Sequence, residues 1–202
     1  MTPWQAFLNS LDPSDPGDTG TRRVNFSFFN DQRTELMAYD TNPFAPSDQE
    51  RHAIWEMLVR KDVDGFVNED WSIFANSFKY DGFCGLDAKA SLDPADWEVR
   101  FPTVETYRDA WLCDARRAAA TEYGEDRRKA LFRATNMLDI RVEGHTATAR
   151  KTFDDAIALA DGGSQRLNWQ SVFFCTMEDH AWKITGFVGY LPFQQTFGRE
   201  SG

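Results

Sequence analysis

The chain has 202 residues, the length of roughly one domain with an appendage, and its 42% hydrophobic and 27% charged residues are those of a globular protein rather than a disordered one. An excess of acidic residues, 32 against 22 basic, gives a net charge of −10 and excludes sequence-independent binding to nucleic acid or to an anionic membrane, which needs a basic face. Cys84, Cys113 and Cys175 are odd in number and widely spaced, and His52, His145 and His180 form no ligand spacing, so we expect no metal, no disulfide framework and reduced thiols in a cytoplasmic protein.

Residues 1–46 read as an N-terminal arm. Thr2-Pro3 looks like a helix start, followed by Trp4, Phe7, Leu8 and Leu11 at helical spacing. A linker, DPSDPGDTGT, covers 12–21, and the alternation of Val24, Phe26 and Phe28 predicts a strand at 22–30. The acidic start lacks the positive segment of a signal peptide, and no apolar run is long enough to span a membrane.

The body is expected over 47–193, with a tail at 194–202. Ser47-Asp48-Gln49-Glu50 has the spacing of a capping box and opens a helix whose apolar face is Ile54, Trp55, Leu58 and Val59. Asp62 could cap a short turn after it. Trp71, Phe74, Ala75 and Phe78 predict a second, short helix, and 80–86 a short strand. Thr103 is the expected N-cap of a third helix, with Tyr107, Trp111, Ala115 and Ala118 on one face and Gly124 as its stop.

From Leu131 onward the period changes to two, which predicts antiparallel strands. Phe132, Ala134, Asn136, Leu138, Ile140 and Val142 share the face that buries apolar side chains. A tight turn at 143–146, with Gly144 at positive φ, opposes Val142 to Ala147, Ile140 to Ala149, Leu138 to Lys151 and Asn136 to Phe153. A longer hairpin at 158–165 sets Trp169 opposite Phe153 and Ser171 opposite Lys151. A turn near Glu178-Asp179 then sets Cys175 against Trp182, Phe173 against Ile184 and Ser171 against Gly186. The inward face therefore collects Asn136, Lys151 and Ser171 among Trp111, Phe153, Trp169, Phe173 and Tyr190.

An unpaired amine in an apolar core is costly, so Lys151 needs water, an acid or a ligand anion; Asp155, Asp81 or a helix-borne carboxylate could be the acid. If the cluster is a ligand site, Lys151→Met should lower binding while stability holds or rises. The outward face, ending in Phe174, has enough uncharged surface to call for a cover, either the arm or a second subunit.

Segments 70–85, the third helix, 138–153 and 169–192 together resemble the NTF2-like superfamily in its SnoaL-like branch. The resemblance implies an α+β cone, a curved and mainly antiparallel sheet wrapped around three helices, and a homodimer through the outer sheet face. It also implies a cavity for a small hydrophobic ligand. The Asp/His type of catalysis found in that family is not supported here, because no histidine falls in an inward register. We therefore expect a module that binds a small organic molecule without metal or organic cofactor, through Asn136, Lys151, Ser171, Trp111, Trp169 and Tyr190. The alternative is a cofactor-independent isomerase, cyclase or dehydratase, with Lys151 steadying an oxyanion and Asp81 or Asp155 moving a proton.

Overall fold

A helical run begins the body of the computed structural model, which describes residues 39–193. The helix and strand expected in the arm and the tail at 194–202 lie outside the described residues. Helix α1 (Gln49–Trp55), a π-helical segment (Glu56–Lys61) and helix α2 (Asp62–Asn68) follow one another with right-handed helical backbone at both junctions. Their buried face is Ile54, Trp55, Met57, Leu58, Val59 and Val63. The expected capping box does not form: Asp48 is the N-cap, makes no side-chain bond to the helix N–H groups and pairs with Arg51 instead. Asp62 consequently opens α2 rather than capping an isolated turn. Glu69, in the left-handed region, ends α2, and the short helix α3 (Ser72–Ala75) follows.

Strand β1 (Cys84–Asp87) turns back antiparallel into β2 (Glu98–Phe101). Helix α4 (Val104–Ala119) starts at the expected cap, where the Thr103 hydroxyl accepts from the Thr106 N–H and the Thr106 hydroxyl accepts from the Thr103 N–H. It buries Trp111, Asp114, Ala115 and Ala118 on one face.

Helix α5 (Arg127–Ala134) occupies residues whose sequence reads as charged surface followed by the start of a strand. Phe132 and Ala134 fit a period of two, but Ala130, Leu131 and Ala134 also fit a helical face, and all are buried. Tertiary bonds select the helix. Arg127 donates to the Val67 carbonyl (2.6 Å) and Arg128 to Asp64 (2.7 Å), which pins α5 on α2.

Arg133, at the end of α5, joins Glu125 (2.6 Å) and Asp155 (2.5 Å). The guanidinium, helped by the Ala158 N–H, holds the Glu125 carboxyl down at about 2 from an ordinary 4.5, and Arg133 lowers Asp155 as well. A lowered carboxyl contributes stability above its unfolded value and loses it as the pH falls through the folded one. The urea midpoint should therefore drop more steeply between pH 4.5 and about 2 in the native protein than in Arg133→Met. Parallel curves would show that the cluster contributes nothing.

Strands β3 (Thr135–Glu143), β4 (Thr146–Ala158), β5 (Ser164–Glu178) and β6 (Ala181–Leu191) complete a curved six-stranded sheet of order β2-β1-β6-β5-β4-β3. All neighbours are antiparallel except β1 and β6. The turn at Gly144 has the expected positive φ, and Val142 opposes Ala147 and Ile140 opposes Ala149 as read.

The register departs from the reading in two places. A bulge lets Met137 and Leu138 both face Lys151, so Met137 is buried while Leu138 is 62% exposed, and Asn136 pairs with Thr152 rather than Phe153. In the last hairpin Trp182 opposes Met177 and Ile184 opposes Cys175, a slip of two residues that keeps the faces next to the turn, but a bulge at Thr185 then turns Phe187 to the inner face and Gly186 to the outer one. Trp182 and Ile184 are accordingly still buried.

The core lies between the sheet's inner face and α1–α4. It is mainly aromatic, with Phe187 packed among Phe83, Phe101, Tyr107 and Phe173. On the outer face Val172, Val188 and Leu191 are covered by the chain itself, through Ala88 and Trp97. Among the described residues no helix is long and apolar enough to cross a membrane.

Candidate functional site

Lys151 lies on the inner face of β4, opposite Ser171 on β5, and is 1% exposed. Its amine donates to the Leu58 carbonyl (2.7 Å) in the π-helical segment and to Asp62 Oδ2 (2.6 Å) at the start of α2. The Phe153 ring faces it at 5.0 Å. The second oxygen of Asp62 accepts the Trp111 indole N–H from α4 (2.9 Å). One carboxylate thus ties together α2, α4 and β4, while 20% of its side chain remains accessible. A π-helical turn is a common place for such a function, since it widens the helix and redirects a carbonyl.

The acid that Lys151 requires is therefore helix-borne. Asp155 is engaged by Arg133, and Asp81 stands exposed in the turn before β1, so neither is its partner. Asn136 is exposed beyond the bulge, outside the inner face. Ser171 is buried and next to Gly189, where an added Cβ would meet its hydroxyl at 3.6 Å. Gly186, expected beside Ser171, instead faces Phe174 and lies so close to the Cys84 carbonyl that a Cβ would come within 2.3 Å of it. This glycine permits the β1–β6 pairing rather than making room at Ser171.

Phe153 and Trp169 stack at 4.6 Å between centroids, and Tyr190 lies 6.2 Å from Trp169. All three are half-buried. Tyr190 has φ 58°, a left-handed backbone that turns its ring onto this face at the end of β6. Burial pushes the phenols of Tyr107 and Tyr190 above their ordinary range, and the negative charges of Asp62 and Asp114 add to the effect. Both hydroxyls stay protonated and available as donors.

Asp114, one turn beyond Trp111 on the buried side of α4, is also desolvated. Burial raises its carboxyl, against the opposing pull of Arg117 at 2.9 Å and of Arg100. Arg100 is itself paired with buried Asp87 at 2.6 Å. The sequence carries a signal for Asp114, a carboxylate at i+3 from an inward tryptophan. Asp62 carries none, because its partner is 89 residues away. The inner face thus combines an anchored carboxylate, a desolvated carboxylate, two neutral phenols and a stacked aromatic wall. Among the described residues no group of three or more His, Cys, Asp or Glu is placed to hold a metal ion.

Solved structures similar to this chain include NTF2-like proteins. An NTF2-like protein of unknown function from Shewanella baltica is 15% identical with a TM-score of 0.45, over 73% of this chain and 97% of its own. Another from Pseudomonas putida is 10% identical with a TM-score of 0.46, over 75% and 92%. An NTF2-like protein with a cystatin-like fold from Novosphingobium aromaticivorans is 14% identical with a TM-score of 0.44, over 72% and 84%. These are likenesses of fold alone, and none singles out the SnoaL-like branch. No family model and no curated protein matches the chain.

Proposed function

We propose that this protein binds a small, largely apolar organic molecule at the inner face beside Phe153, Trp169 and Tyr190, as a binding module rather than an enzyme. The observation that carries this reading is the state of Lys151. Two of its three donors are spent on Leu58 and Asp62, and an aromatic ring faces the amine, so it is not available to steady an oxyanion. The half-buried aromatic side chains supply a wall for a flat ring, and Asp62 with the neutral phenols supplies polar contacts at its edge.

Calorimetric titration with 2-naphthol, a flat aromatic alcohol, tests this. Saturable binding that weakens at least about ten-fold in Trp169→Ala is expected. No saturable heat, or equal affinity in the variant, would overturn the reading.

One observation favours the catalytic alternative: buried Asp114, with its raised carboxyl, beside phenols that stay protonated. A cofactor-independent isomerase, cyclase or dehydratase could use that pair for proton transfer. Turnover that disappears in Asp114→Asn with substrate binding retained would establish it.

Association through the outer sheet face belongs to the same proposal. Phe174 stands 43% exposed there, outside the cluster that Trp97 covers. Light scattering should give a dimer mass that Phe174→Glu reduces to a monomer; a native monomer would refute it.

A further inference from the structure

We infer that the molecule bound at the inner face is a flat aromatic carboxylate and that Arg100 on β2 selects its acid group, a step that rests on the binding reading above. Arg100 reaches this face through an irregularity of the β1–β2 hairpin. Gly85 opposes Phe101 and Leu86 opposes Val99, so Arg100 has no residue opposite it. Its Nη1 donates to Asp87 Oδ2 (2.6 Å). Asp87 lies in register with Gly189 on β6, where an added Cβ would meet the Phe187 ring and the Ser171 hydroxyl, both on the inner face. Tyr190, whose ring extends the aromatic wall from Trp169, is the next residue along β6.

The guanidinium lies 5.2 Å from the centre of the Phe101 ring, which in turn packs on Tyr107 and Phe187. Burial raises the Asp114 carboxyl and the Tyr190 phenol, and the charge of Arg100 pulls both back down. Groups from α4 and from β6 are thus within its field.

A guanidinium carries five N–H donors in a planar fork and no acceptor. One is bonded to Asp87, and among the described residues the other four have no partner, although the side chain is only 19% exposed. The neighbouring acids cannot complete the set. The second oxygen of Asp87 accepts the Lys89 N–H (2.8 Å), and Asp114 is held by Arg117. Nε and Nη2 therefore remain for two parallel bonds to one acceptor group, the geometry that a carboxylate matches. An incoming anion also meets no uncompensated acid: Asp62 is paired with Lys151, Asp87 with Arg100 and Asp114 with Arg117. The stacked rings of Phe153 and Trp169 then take the aromatic body.

Calorimetric titration of the full-length protein with 2-naphthoate beside 2-naphthol tests this, because the two share one ring system. The native protein should bind 2-naphthoate at least about ten-fold more tightly. Arg100→Lys keeps a positive charge beside Asp87 and removes the fork. It should weaken 2-naphthoate at least about ten-fold while 2-naphthol stays within about two-fold, which also reports that the site is folded. Trp169→Ala should weaken both compounds. Binding of 2-naphthol with no preference for 2-naphthoate would overturn the inference and leave the binding reading intact, a result that needs no variant. A preference retained in Arg100→Lys, or native 2-naphthoate affinity in Trp169→Ala, would overturn it equally. Binding of neither compound would overturn both readings.

Discussion

Replacing Lys151 by methionine should destabilise the protein by about 3–5 kcal/mol, the range for removing one partner of a buried ion pair. This reverses the expectation drawn from sequence, in which an unpaired lysine in an apolar cavity would be better replaced. The amine is a structural strut: without it the Leu58 carbonyl and one Asp62 oxygen lose their donor in a site from which water is largely excluded. The second substitution in the cycle is Asp62→Leu. On its own it strands the lysine charge and removes the acceptor of Trp111, so it should cost a similar amount. Combined with Lys151→Met it should recover at least about 2 kcal/mol, because an ion pair replaced by apolar side chains of similar size is often near neutral. Urea unfolding of the four proteins measures this. Strict additivity would mean that the two groups do not interact in solution.

Phe187→Ala should cost about 3–5 kcal/mol, the range for truncating a buried phenylalanine. The ring is 4% exposed and sits 5.0 Å from Tyr107 and 5.6 Å from Phe173, between centroids. It also lies in a slot between two glycines: a Cβ on Gly85 would come within 2.9 Å of it and one on Gly189 within 3.1 Å. The slot explains why the cavity would not collapse, since its sides are strand backbone rather than movable side chains. Phe187→Leu, which fills part of the volume, should cost less than half as much as the alanine. Gly85→Ala should destabilise through overpacking by about 1–3 kcal/mol. A loss below about 1 kcal/mol for Phe187→Ala would show that the aromatic cluster repacks freely.

Much of the fold is legible because its signals are local or periodic. Thr103 marks the start of α4, and Gly144 marks a turn whose length sets the β3–β4 register near it. Near the last turn the inward set, Trp182 and Ile184, survives a wrong register because the slip there is two residues and strand faces repeat every two; past the bulge at Thr185 it does not, and Phe187 lies inward in place of Gly186. Lys151 opposite Ser171 follows from the same periodicity.

Other features depend on contacts distant in sequence. The bulge at Met137 and Leu138 puts two residues against one and moves Asn136 off the inner face; hydrophobicity alone cannot place it, since methionine and leucine serve equally well inside. Helix α5 prevails over strand because Arg127 and Arg128 find partners on α2, some sixty residues earlier. The acid for Lys151 is decided by tertiary structure for the same reason. The sequence by itself determined that a buried lysine must have a partner, because an isolated charge in an apolar interior is too costly. Only the folded chain decided that the partner is Asp62, where a π-helical turn brings the carboxylate and the Leu58 carbonyl to the same amine.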